Sequence, residues 1–335
     1  MPRVPYSKPA LSYVDQIQQL KDRGLQIEDE QKALHILENI SYYRLGAYWY
    51  PMLSEPKSSH RFKPNSSFNQ AFKLYCFDRE LRKLISGELE KIEVSVRAKM
   101  IYILSQSHGP FWFNNHLIFI NIGKLKISVR KLRDEKNRSD EEFIKAFQRK
   151  YSDPLPPSWM IMEISSFGNL SNFFKNLKPG RDKRNIANYF GLDDSTFESW
   201  LHSFTYVRNV CAHHSRFWNK RMSIQPQIPH SPSRPFITIT SLPNPNPSGR
   251  PWRINDRTYF ILSMIIYLLG VINPKHTFKK RFDKLLHKYP MIDKKAMGFP
   301  VGWENEPIWS AIARSIFQRL IASVQQWLKR HGVKS

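Results

Sequence analysis

Arg208 and His213 have four residues between them in the run RNVCAHHSRFWN, which spans Arg208 to Asn219. Arginine is a permanent cation whose planar fork suits phosphate. Histidine gives and takes a proton near neutral pH. One such group can stabilise charge building on phosphorus while the other moves protons. The pair is therefore a minimum kit for breaking a phosphodiester without a metal. RNA suits that kit, because its 2′-hydroxyl is a built-in nucleophile. Asn209 is a polar neighbour able to orient either group, and His214 is a second imidazole in an accessory place. Arg216, Lys220 and Arg221 follow as basic residues able to hold RNA.

Other constellations are weaker. Arg281 and His287 give a looser match in RFDKLLH, with Phe282, Leu285 and Leu286 facing inward on an ordinary basic amphipathic helix. Cys211 lies three residues before His214, a ligand spacing on a helix, but no third ligand or carboxylate accompanies them, so no metal is expected. The chain has no GxxxxGK[ST], GxGxxG or GxSxG sequence, which removes the common phosphate loops and the esterase elbow. No cofactor is expected.

The 335 residues are enough for one large or two modest domains, and 41% hydrophobic content allows a proper core. Against 28 Asp and Glu stand 52 Lys and Arg, leaving +24. Charge of that size opposes compaction unless an anionic partner neutralises it, and nucleic acid is the leading candidate. Two distant cysteines, Cys76 and Cys211, offer no disulfide framework. The first residues contain no apolar run of the secretory kind. The most apolar stretch, Phe260 to Ile272, is too short to span a bilayer and reads as a buried helix. A cytoplasmic protein with no membrane partner is expected.

The elements that must position the run are helical by pattern. Val14–Leu20 and Gln31–Leu37 carry apolar residues at helical spacing. The aromatic-rich Asn39–Met52 reads as core. Phe68–Leu104 keeps a 3–4 period through Phe77, Leu81, Leu84, Ile85, Leu89, Ile92, Val96 and Met100. Glu88 with Lys91 and Asp78 with Arg82 read as helix-surface charge contacts. Gly87 is its weak point, and Ser107 to Pro110 ends it. Lys124–Tyr151 predicts a solvated helical hairpin or loop. Trp159–Phe174 predicts an apolar helix interrupted at Gly168, with a basic turn over Lys178–Arg184.

Ser195 with Glu198 predicts a capping box at the start of a helix that runs through Trp200, Leu201, Phe204 and Val207 into Arg208. On an ideal helix Arg208 and His213 stand about 140° apart. One pair therefore converges poorly on one phosphate: either the helix is locally irregular or a second copy of the motif completes the site. Pro226–Pro251 reads as a loop around a strand-like run, Phe236–Thr240. From Thr258 the pattern is helical again: the apolar run, Thr277–Tyr289 and Ile308–Arg330. The charge after Arg250 is strongly positive.

Four blocks together carry a resemblance: LKDRGLQIEDEQKALHILENISYYRLGAYWYPM from Leu20, FDRELRKLISGELEKIEVSVRAKM from Phe77, PPSWMIMEISSFGNLSNFF from Pro156, and the run from Arg208. In this order they resemble the Abi-like family of bacterial abortive-infection proteins, of the AbiD and AbiF type. The resemblance extends to the HEPN superfamily of helical RNases, whose signature of Arg, four to six residues, then His maps onto Arg208 and His213 with Asn209 as companion. It implies a metal-independent endoribonuclease toxin of phage defence, acting as a homodimer with two motifs face to face and restrained by a small structured non-coding RNA.

The fold expected is all-α: an N-terminal helical extension over residues 1–65, a HEPN-like bundle core over 66–225, a Pro-rich loop over 226–256, and basic C-terminal helices over 257–335. In that reading His213 is the general acid and base, Arg208 stabilises the transition state and Asn209 orients one of them. The alternatives are a non-catalytic RNA-binding or scaffold protein, and a toxin neutralised by a protein partner.

Overall fold

A computed structural model describes residues 5–244 and 248–310 of the chain, and in them the protein is all-α, with twelve α-helices and one two-stranded ribbon. The described residues divide into two compact units: residues 5–82 with Lys284–Ile292, and Lys83–Asp283 with residues 293–310.

In the first unit α1 (Tyr13–Asp22), α2 (Glu30–Ile40) and α3 (Tyr42–Trp49) precede the opening turns of α4 (Phe68–His108). Ser12 and Asp15 cap α1 reciprocally. The periodic positions Ile17, Leu20, Ala33 and Leu37 are buried, as the spacing predicts. The aromatic segment divides: Tyr48 and Trp49 are core, while Tyr43 and Tyr50 face solvent. The Tyr48 hydroxyl donates to Asp78 at 2.8 Å, and Arg82 donates to both. Asp78 and Arg82 thus form a buried cluster, correcting the surface contact read from spacing. Burial, reinforced by the Asp78 charge, holds the Tyr48 pKa far above its ordinary value.

The helix α4 runs unbroken through Gly87 and ends at His108, where Gly109 takes φ +77° as a left-handed terminator. Its buried stripe is Phe77, Leu81, Ile85, Leu89, Ile92, Val96, Met100 and Leu104, while Leu84 is only half-buried.

The second unit takes the rest of α4 and adds α5 (Ile122–Arg138), α6 (Glu142–Lys150), α7 (Ser158–Ile161), α8 (Phe167–Asn176), α9 (Arg181–Tyr189), α10 (Asp194–Ala212), α11 (Thr258–Ile272) and most of the residues of α12 (Phe278–Lys288). The helix α10 packs on α8 and α9, and α5 packs on α8. Rings fill the space between: Phe197 lies 5.0 Å from Phe174 and 4.8 Å from Phe190. Trp200 meets Phe236 and Tyr267 at 5.4 and 5.5 Å. In α11 every residue from Thr258 to Leu269 is buried, as its hydropathy predicts. Among the described residues no helix is long and apolar enough to cross a membrane.

Several local readings are corrected. The Lys124–Tyr151 segment is helical as expected, in two helices, but it is not wholly solvated: Leu125, Val129, Leu132, Ile144 and Phe147 are buried. The apolar helix after Trp159 breaks before Gly168, because Ser166 caps α8 by accepting from the Asn169 amide. Arg181–Arg184 opens α9 and is no turn. The run Phe236–Thr240 forms no strand: Thr238 and Ile239 donate their amides to the buried Glu306 carboxylate. The ribbon lies just beyond, β1 (Ser241–Leu242) antiparallel to β2 (Trp252–Arg253). Glu88 is fully buried and receives both Lys91 and Arg281, so it is an internal anchor. The Ile308–Arg330 expectation lies, beyond Ser310, outside the described residues.

Candidate active site at the end of helix α10

The helix begins at Asp193, whose side chain accepts from the Thr196 amide at 2.8 Å and from the Ser195 hydroxyl at 2.7 Å. Those bonds hold the Asp193 carboxyl below its ordinary pKa, against the opposing pull of burial. The Ser195–Glu198 capping box does not form. Asp193 outcompetes Ser195 for the cap, and Glu198 instead receives Lys183 at 2.9 Å. From there α10 turns Phe197, Trp200, Leu201, Phe204, Val207 and Cys211 inward. That leaves Arg208, Asn209, Ala212 and His213 in solvent at its C-terminal end.

The helix is regular to Ala212, and His213 is its C-cap. The Ser215 amide donates to Val210 and the His214 amide to Cys211, both at 3.0 Å, while His214 takes φ 55°. These are the paired bonds of a Schellman terminator, with histidine in the left-handed place that glycine usually fills. The irregularity therefore falls after His213, and the wide angle between Arg208 and His213 stands.

Beyond the terminator the chain dives inward. Phe217 and Trp218 are buried, and the Thr258 hydroxyl donates to the Trp218 carbonyl at 2.8 Å. Of the downstream cations, Arg216 and Lys220 are half-buried and Arg221 is exposed. Arg221 lies 3.8 Å from Asp256 and 5.7 Å from the Trp252 ring centre. His214 and Ser215 are exposed beside His213. Among the described residues no three His, Cys, Asp or Glu side chains group to hold a metal.

Sequence spacing misses the charges on α4 that face this helix end. Glu93 accepts from Arg97 at 2.8 Å, and Arg97 also donates to the Ser165 carbonyl at 3.0 Å and lies 3.7 Å from Glu163. Burial pushes the Glu93 carboxyl above its ordinary pKa, and the fields of Arg97 and Arg208 resist that push. The field of Arg208 thus reaches a carboxylate more than a hundred residues earlier in the chain. The Glu93–Arg97 spacing is visible in the sequence, but its nearness to Arg208 is not.

Arg281, the weaker candidate, is committed to buried Glu88. Its neighbours Phe282 and Leu285 are buried and Leu286 is half-buried.

A family model described as Abi-like protein matches residues 35–219. The match takes in Arg208, Asn209, His213, His214 and Arg216, and stops short of Lys220 and Arg221. No curated protein and no solved structure matches the chain. With more than half of its length under that match, the chain belongs to the Abi-like protein family.

Proposed function

We propose that the protein is a metal-independent endoribonuclease of abortive infection, of the HEPN type, working as a homodimer and restrained by a small structured RNA. The observation that carries the reading is the solvent-facing Arg208, Asn209 and His213 on the last turn of one well-anchored helix. Membership of the Abi-like family supports the defence role.

In this mechanism the imidazole of His213 removes the proton from a ribose 2′-hydroxyl. The freed oxygen attacks the adjacent phosphorus, and the bond to the 5′-oxygen breaks. Arg208 stabilises the extra negative charge on the phosphoryl oxygens in the transition state. The leaving 5′-oxygen takes a proton from an imidazolium, so the products are a 2′,3′-cyclic phosphate and a 5′-hydroxyl. Two proton transfers on opposite sides of phosphorus call for two imidazoles. A second copy of the motif across a two-fold axis supplies the other one, which answers the wide angle between Arg208 and His213. The net charge of +24 supports a lasting RNA partner.

The test is cleavage of RNA in excess EDTA. Cutting that persists there and disappears in His213→Ala supports the reading. Cutting that vanishes with EDTA and returns only with added metal overturns it. RNA extracted from the purified protein should be one discrete small species, and a random mixture overturns the restraint by RNA.

A further inference from the structure

A second basic feature of the second unit plays no part in that chemistry. A cleft of about 620 Å³ opens between α5 and α8, floored by side chains of α9 and α10. That volume is within the range of small-molecule sites. On one wall stand Lys124 and Ile127 of α5, and on the other Asn172 and Lys175 of α8. The walls are tied together: Asn176 receives the Asn121 amide at 3.0 Å and donates to the Asn121 carbonyl at 2.9 Å.

The floor is Lys183, whose side chain is only 7% exposed. Its ammonium meets Glu198 at 2.9 Å and the carbonyls of Lys175 and Leu177, both at 3.4 Å. Three acceptors use its three protons, so Lys183 is a fixed structural cation. Glu198 lies 3.8 Å from Lys175 as well. One carboxylate thus meets two ammonium groups, Lys124 adds a third to the lining, and the cleft keeps an excess of positive charge. Lys124 and Lys175 carry that excess to the open side, where both are exposed.

Charge alone would suit any anion. Two further features narrow the class. Ile120 and Ile127 are 59% and 50% exposed at the rim, apolar surface that a flat ring can cover. Asn172 is exposed on the facing wall, with an amide that can both donate and accept, as the edge of a base requires.

We propose that this cleft is a nucleotide-binding site, taking a phosphate on Lys124 and Lys175 and a base against Ile120, Ile127 and Asn172. It is separate from the motif: Glu198 and Arg208 share α10, about 15 Å apart along its axis. The nucleotide can be free or one residue of an RNA strand, since the chemistry of recognition is shared.

The experiment is calorimetric titration of the full chain with 5′-AMP, with inorganic phosphate and with a short oligoadenylate RNA. Lys124→Glu/Lys175→Glu is compared with Lys145→Glu/Lys150→Glu, which changes the net charge equally on the exposed face of α6. The first pair should weaken 5′-AMP binding at least about tenfold, or ~1.4 kcal/mol, and the control pair less than about twofold. Asn172→Phe, which fills the mouth, should weaken it similarly while thermal melting stays put. Oligoadenylate that competes with 5′-AMP assigns the site to a strand, and oligoadenylate that does not assigns it to free nucleotide.

The proposal is overturned if 5′-AMP does not bind, if phosphate binds as tightly as 5′-AMP, or if both charge-reversal pairs weaken binding equally. His213→Ala should bind 5′-AMP as the wild type does. Loss of the nuclease reading and loss of this one are thus separate results.

Discussion

The backbone amide of His213 donates to the carbonyl of Asn209 at 2.9 Å, the last regular bond of α10. The histidine is thus held by the helix that presents Arg208, and the two side chains leave that helix in different directions. A two-chain site should therefore be separable by mixing. His213→Ala and Arg208→Ala should each be at least about 100-fold slower than the wild type in RNA cleavage. A mixed dimer sets one intact Arg208 against one intact His213: activity above either variant shows a site shared between chains, and the missing second imidazole keeps it below the wild type. A strictly monomeric protein with full activity would refute the arrangement. RNA affinity of His213→Ala should stay within about tenfold, because binding charge is spread over many other cations.

His214 occupies a left-handed conformation that disfavours side chains by about 1–2 kcal/mol. His214→Gly should stabilise the protein by about 1 kcal/mol in urea unfolding, with the cleavage rate unchanged if His214 serves only the terminator. A stabilised protein that no longer cuts RNA would make His214 part of the chemistry and reveal strain kept for function.

Asp193→Ala removes the cap that starts the same helix, at a cost of about 1 kcal/mol at neutral pH. The folded pKa of Asp193 is depressed below its ordinary 3.8. Its contribution is therefore complete above that value and fades as pH falls through the lower folded value. The stability gap between wild type and variant should close in strong acid. A gap that persists unchanged there would show that the cap acts through shape and not through charge.

Gly87 sits mid-helix in α4 with nothing near the place a Cβ would occupy. Gly87→Ala should raise stability by about 0.5–1 kcal/mol, read as a higher urea midpoint with unchanged slope. A lower midpoint would mean that this position needs to be small for a contact made by another molecule.

Much of the helical framework was legible because burial follows period. The stripe from Phe77 to Met100 in α4 and the wholly apolar α11 repeat their sequence pattern in their burial. Motif placement was legible too, since buried residues from Phe197 to Cys211 fix which side of α10 remains for Arg208. Competition between equivalent groups was not. Two acidic or hydroxyl side chains near one helix start are alike in sequence, and only geometry gives the cap to Asp193. A β-branched run such as Phe236–Thr240 looks like a strand until a carboxylate from far along the chain, Glu306, claims its amides. The sequence also hides juxtapositions of distant residues. Glu93 with Arg208, and Lys124 with Lys175 and Lys183, come together only through packing.

The buried pair Phe217 and Trp218 gives α10 a second mooring just past its end. Cys211 is sunk in the core before the histidines and Phe217 after them, so only residues 212–216 lie between two fixed points. A tether that short allows no flap. In the proposed mechanism His213 is therefore set before RNA arrives, and little reorganisation is left for the reaction step. The same rigidity removes one means of control. Residues 212–216 offer no loop to order or melt, so an inhibitor of the proposed two-chain site would have to stand in front of it or keep a second copy away.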